Sequence, residues 1–306
     1  MGVVRNLVKQ KEVKSANNGI YASYKNIVLY GSFGKSSLVG ALSEKLDRPI
    51  LVLSPSGGSE LLSQEYPNII SYPVESLKEV ESIYADLIKD YNAIKNLSQV
   101  IKDNDKVRLE KAKAHYKDEW NEIYLMAKTE SFPIGAIALE ECSIMSDWIQ
   151  QKLEDDLDVN YVGEDKSGQG IDWSKFSRNV VSFYSKFLGL PITTILETGH
   201  IDPKEKQKLT HIAPDISQGN SNRKLTDMIG NVFYCYRTDD LKYKVRITGN
   251  KDIYCKDKLL PVKTDKKLVE EIDVTNAPEK FWNYIDSLSE NRKIIKNKES
   301  VKNGKK

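Results

Sequence analysis

The stretch NIVLYGSFGKSSLVGAL, from Asn26 to Leu42, gathers the residue types that grip a polyphosphate. Gly34, Lys35 and Ser36 follow a short apolar run and precede a helical pattern. In such a turn the backbone amides converge on an anion, the lysine adds a mobile cation and the hydroxyl ligates a metal ion. The standard spacing places four residues between the first glycine and Gly-Lys-Ser/Thr. Here only Ser32 and Phe33 separate Gly31 from Gly34, and Leu29 stands where the first glycine should be. The nest would have to form from Ser32 to Ser37, with Gly31 and Gly34 taking any positive φ angles. An ordinary strand-to-helix turn could use the same residues, so the motif needs company.

Roughly a hundred residues downstream, the strand-like IGAIALEE ends in Glu140 and Glu141. A carboxylate at such an exit holds Mg²⁺ through water, and a neighbouring one can orient an attacking water. A third run, PITTILETGHID, ends at Thr198 and His200. Each alone reads as solvated residues at a strand exit; their order behind the glycine turn gives them weight. Cys142, Cys235 and Cys255 form no C-x-x-C pair, which fits a reducing, intracellular setting. His115, His200 and His211 show no metal-ligand spacing.

The elements that position these residues follow from periodicity. Ile27 to Tyr30 predicts a buried strand, and Leu38, Val39, Ala41, Leu42 and Leu46 a helix after it. RPILVLSPSGGS and NIISYPV predict two more strands, so strands alternate with helices as in a parallel sheet with crossovers. From Leu77 a seam of Val80, Tyr84, Leu87, Tyr91 and Ile94 steps by three and four. After the turn at KDNDK, Leu109, Ala112, Tyr116, Trp120, Ile123 and Ala127 resume helical spacing. Residues 76–129 therefore predict two long helices in an antiparallel hairpin. Residues 201–224 read as a polar loop with Lys204, Lys206, Lys208, Arg223 and Lys224. NVFYCYRT, LKYKVRITG and DIYCKDK read as closing antiparallel strands, and APEKFWNYIDSLSE as a last helix.

The 306 residues suffice for one large domain or two small ones. Charge is nearly balanced at +2, but the last 17 residues hold seven Lys/Arg against two acidic residues. That tail reads first as a solvated, disordered end, and second as a non-specific contact to nucleic-acid phosphates. The opening MGVVRNLVKQKEVK is too interrupted for a signal peptide or membrane span, and Asn6 breaks a myristoylation pattern.

The ordered set IVLYG…GKSSL, ILVLSPSGGS, IGAIALEECS, ITTILETGHID, GNVFYCYR and IYCKDKLLP resembles the phage-encoded RecA-like nucleotide-binding ATPases, which include single-strand-annealing recombination proteins. The resemblance implies an α/β, RecA-like P-loop NTPase core with a mostly parallel sheet, an inserted helical hairpin and a C-terminal antiparallel strand extension. It implies a short N-terminal segment at 1–24 and a nucleotide-binding domain over 25–262 carrying the insertion at about 76–129. A helical segment over 263–289 and the basic tail over 290–306 follow. Gly31, Ser32, Phe33, Gly34, Lys35, Ser36 and Ser37 would bind ATP, with Ser36 and Glu140 on Mg²⁺. His200 would sense the γ-phosphate, and Lys256 and Lys258 would reach into a neighbour's site in a homo-oligomer. Loop 201–224 would contact single-stranded DNA. The setting would be the cytoplasm, that of the host cell for a phage protein, with no membrane partner.

Three departures bear on catalysis. The loop is two residues short; Ser56 stands where the family's catalytic glutamate ends the second core strand; and the metal-binding acid is Glu140, with Glu141 in place of a small residue. Glu141 could take over water activation. The resulting expectation is an ATP-binding protein acting on DNA in recombination or replication, with slow hydrolysis. The alternative is a non-hydrolysing member that recruits a partner through its helical hairpin.

Overall fold

The computed structural model describes residues 26–159, 171–202, 211–257 and 269–287. Its centre is a strand in which every residue from Ile27 to Gly31 is buried, β1 (Asn26–Gly31). A continuous apolar run of this kind suits a parallel strand covered on both faces. β1 is flanked in parallel by β5 (Thr193–Thr198) and β8 (Asn231–Arg237). Beyond β5 come β4 (Ala136–Leu139), β2 (Ile50–Ser54) and β3 (Ile69–Pro73), all parallel. The order across the sheet is thus β3-β2-β4-β5-β1-β8. On the far side of β8 lie β9 (Tyr243–Arg246), β10 (Lys256–Asp257) and, beyond β9, β11 (Glu271–Asp273), each antiparallel to its partner.

The alternation of strand side chains sorts the core into two layers. Ile27, Leu29, Ile50, Val52, Ala138 and Ile195 meet α1 (Lys35–Ser43), Leu62 of α2 (Glu60–Glu65), and Phe281, Trp282 and Ile285 from the helix at 279–287. The Trp282 indole donates to the Leu38 carbonyl at 2.7 Å, which pins that last helix under α1. On the opposite face Val28, Tyr30, Leu51, Leu139 and Leu196 meet α3 (Leu77–Lys102), α6 (Cys142–Leu157), α7 (Ile171–Leu188) and α8 (Gly219–Met228).

The sequence expectations need four corrections. NVFYCYRT supplies β8, which pairs antiparallel with β9 and β10 as expected but also runs parallel to β1 and so belongs to the parallel core as well; alternation fixes a strand's faces but not its neighbours. The second limb of the hairpin is not one helix. It is α4 (Lys106–Tyr116), a 3₁₀ turn at Lys117–Glu119 and α5 (Trp120–Thr129), with the break at Lys117, whose φ is 46°. Segment 201–224 is not simply a loop: β6 (His200–Ile201) pairs with β7 (Ala213–Pro214), and α8 opens at Gly219. Segment 263–289 carries β11 as well as a helix. Lys204, Lys206, Lys208, Lys258, residues 1–24 and the tail 290–306 lie outside the described residues.

α3 works in two halves. Val80, Ile83 and Leu87 pack on the sheet core, whereas Ile94 and Leu97 form a separate small core with Ile123, Met126 and Ala127 of α5. α4 has no buried residue. Among the described residues no helix is long and apolar enough to cross a membrane.

Candidate phosphate-binding and metal site

The chain leaves β1 toward α1 on one face, while β4 and β5 lead to α6 and α8 on the other. Adjacent parallel strands whose connections part to opposite faces open a crevice at their carboxyl ends, and ligands of α/β sheets bind there. The glycine turn, Glu140, Glu141 and His200 stand around that crevice.

Gly31 ends β1 with φ at 119°. A Cβ on it would come within 2.0 Å of the Cys235 carbonyl oxygen on β8. Only glycine lets the two strands approach this closely and then turn. Gly34 precedes α1 in the left-handed region, φ 83°, and no side chain caps the helix. Its first turn carries no acidic residue, so no side chain of α1 itself competes for the leading amides and the positive end of the dipole.

The Lys35 ammonium donates to the Gly31 carbonyl at 2.7 Å, so it folds back across the mouth of the turn. Phe33 does not fill that turn: its ring is 41% exposed, and the Arg237 guanidinium lies 4.4 Å from its centroid. The Ser36 hydroxyl donates to Glu140 Oε1 at 3.4 Å, and the other oxygen, Oε2, is buried with no hydrogen-bond partner among the described residues. Ser37 is exposed.

Two other expected site residues arrive from separate elements. His200, at the start of β6, places Nδ1 3.4 Å from the Ser32 hydroxyl and Nε2 3.5 Å from Asp202. Glu141 adopts a left-handed backbone, φ 52°, and its Oε2 accepts the Ser56 amide at 3.1 Å. The carboxylate of Glu141 therefore reaches the turn after β2, where Ser56 stands.

Lys256 lies apart from this group. β10 pairs with Val232 and Asn231 at the start of β8, at the opposite end of that strand from Arg237. Its ammonium donates to the carbonyls of Thr226 and Asp227, at 3.2 and 2.8 Å, in the last turn of α8. That is a favourable place for a cation, beside the negative end of a helix.

One residue at the crevice went unnoticed in the sequence. Glu197 on β5 is 1% exposed, and neither carboxylate oxygen has a hydrogen-bond partner among the described residues. Burial pushes its carboxyl up to about 8, the negative charge of Glu140 adds to the rise, and the Lys35 cation opposes it. The signal was available: a single carboxylate inside the β-branched run TTILET, in a strand expected to be covered on both faces.

No protein-family model matches the chain, and no curated protein matches it significantly in sequence.

Proposed function

We propose that the protein is a RecA-like P-loop NTPase that binds ATP with Mg²⁺ and acts on DNA in recombination or replication. The observation that carries this is the uncapped start of α1 at the switch point, with Lys35 across its mouth and Ser36 bonded to the acid at the exit of β4. A short loop cradles fewer phosphate oxygens than a full one. The amides from Ser32 to Ser37 would take the β-phosphate, and Lys35 would exchange the Gly31 carbonyl for phosphate oxygens.

The donor set suits Mg²⁺, a hard cation that takes oxygen ligands. The Ser36 hydroxyl and the Glu140 carboxylate, with its orphaned Oε2, would hold it. When bound, the ion neutralises charge on the terminal phosphates. Glu141 would orient water from the position that Ser56 leaves without a carboxylate. His200, beside Ser32, would contact the terminal phosphate. A contact to single-stranded DNA is supported by a groove lined by Trp173, Arg178, His211, Arg223, Lys224 and Tyr254. There His211 and Tyr254 stack with centroids 5.6 Å apart, so the groove joins cations to aromatic faces as single-strand binders do. Lys256 and Lys258 would act in trans only in a homo-oligomer.

The deciding experiment is ATP affinity, by equilibrium titration, of the wild type beside Lys35→Ala, followed by turnover with and without single-stranded DNA. A fall of about 10- to 100-fold in affinity is expected for the loss of one charged phosphate contact. Equal affinity in both proteins, or none in either, overturns the assignment.

A second reading, a partner-recruiting protein with little hydrolysis, is favoured by α4. That helix stands off the sheet with no buried residue, and Val107 on it is 67% exposed. Nucleotide binding without turnover would select this reading.

A further inference from the structure

The pairing of β4 with β5 sets Leu139 beside Leu196, so the next residues on the two strands, Glu140 and Glu197, are neighbours at the strand exits. Ala138 and Ile195, two positions earlier, both face the α1 layer. Alternation sends Glu140 and Glu197 to the same side, where the Ser36 hydroxyl meets Glu140. Three of the four carboxylate oxygens here are buried and unpartnered: Oε2 of Glu140 and both oxygens of Glu197. The nearby ammonium of Lys35 is already engaged by the Gly31 carbonyl.

A buried carboxylate without a partner is strongly unfavourable, and a fold tolerates it where a cation or proton completes it. Two carboxylates and a hydroxyl converging from three separate elements provide the hard oxygen donors that Mg²⁺ and Mn²⁺ take. We infer that Glu197 is a direct ligand of the divalent cation, completing with Ser36 and Glu140 a site that takes the ion before any nucleotide arrives. The inference deepens the nucleotide reading and rests on it for the ion's role, but the cation site can be tested alone. A loop two residues short wraps phosphate less completely, and a pre-bound cation would compensate by drawing the phosphates in.

The test uses the full chain and Mn²⁺ alone, with free Mn²⁺ followed by electron paramagnetic resonance in the absence of nucleotide. The wild type is expected to bind one Mn²⁺ saturably. Glu197→Gln, which keeps the shape and removes the charge, is expected to weaken binding at least about tenfold, and Glu197→Asp to fall between. ATP binding in the presence of EDTA, measured in parallel, is expected to change far less in Glu197→Gln than Mn²⁺ binding does. The inference is overturned if the wild type takes no Mn²⁺, or if Glu197→Gln holds it as tightly as the wild type. It is equally overturned if Mn²⁺ and metal-free ATP affinities fall together, since Glu197 would then act through the fold. Saturable Mn²⁺ binding that depends on Glu197, in a protein that binds no ATP, would sink the nucleotide reading and leave the cation site standing.

Discussion

The Ser36 hydroxyl and the Glu140 carboxylate meet at 3.4 Å across 104 positions of chain, and in doing so they join the first turn of α1 to the exit of β4. β5 lies between β4 and β1, so this contact spans a strand and holds the phosphate turn against the acid. Ser36→Ala and Glu140→Gln should each weaken Mg²⁺-dependent ATP binding by about 10- to 100-fold, the worth of one hydrogen bond to a charged group. ATP binding in EDTA should change far less. Titrations with and without Mg²⁺ check this, and an equal loss in both would place the pair in the fold rather than at the metal.

The two glycines of the turn should separate stability from binding. Gly31→Ala drives a Cβ into the Cys235 carbonyl, at 2.0 Å, and forces alanine to a φ of 119°. The obstruction is backbone in a neighbouring central strand, so a loss above about 3 kcal/mol is expected. Gly34→Ala meets nothing closer than Tyr243 Cδ1 at 3.9 Å, and it keeps only the conformational strain of φ 83°, about 1 kcal/mol. Urea denaturation ranks the two; a milder effect at Gly31 than at Gly34 would mean that β8 gives way easily.

Glu197 makes stability depend on pH in an unusual direction. Its carboxyl is raised from an ordinary value of 4.5 to about 8, first by burial and then by Glu140. Between those values the folded chain holds a proton that the unfolded chain has released. Stability is therefore greatest below about pH 4.5 as far as this group is concerned. It declines as pH rises toward 8, by up to about 1.4 kcal/mol per unit. Glu197→Gln should flatten that slope and leave the protein more stable than the wild type at pH 8. Denaturation in EDTA at pH 5, 6, 7 and 8 decides it; parallel slopes for both proteins would show that Glu197 is ionised throughout.

Glu271 works in the opposite sense at the antiparallel edge. The Lys244 ammonium at 2.5 Å, with help from the Tyr236 hydroxyl and Arg246, holds its carboxyl below the usual range. The stability it contributes is present above about pH 4.5 and is lost as pH falls through its lowered value. Glu271→Gln should therefore remove part of the acid sensitivity while lowering stability at neutral pH by about 1 kcal/mol, since the group is partly screened by solvent. Acid titration of the two proteins, followed by circular dichroism, gives the comparison.

These features differ in how far the sequence revealed them. The β1–turn–α1 unit is legible because its signals are local: an apolar run, two glycines and a helical stripe within 17 residues. The acid pair at Glu140 and Glu141 is legible for the same reason. The direction of β8 is not, because NVFYCYR packs equally well either way until β1 is known to be its neighbour. The break at Lys117 carries neither glycine nor proline, and the Leu109–Ala112–Tyr116 stripe and Trp120 pack against the same small core on either side of it, so their spacing reads as one continuous helix. The meeting of Glu141 with Ser56 depends on β2 and β4 being adjacent, which periodicity cannot tell.

Lys256 carries the sharpest choice between a structural and a catalytic role. Its ammonium sits on the Thr226 and Asp227 carbonyls, where the last turn of α8 leaves acceptors without helical partners. A lysine that reaches into a neighbour's site would have to give up both bonds. Lys256→Ala should cost about 1 kcal/mol of stability, the net worth of such contacts at a half-buried position. Lys256→Arg should restore most of it. If α8 capping is its whole role, any loss of turnover will track the loss of folded protein and recover with Arg. A large fall in turnover with stability unchanged would instead move the ammonium into a second copy's nucleotide site. Mixing Lys256→Ala with Lys35→Ala chains would then restore activity that neither has alone.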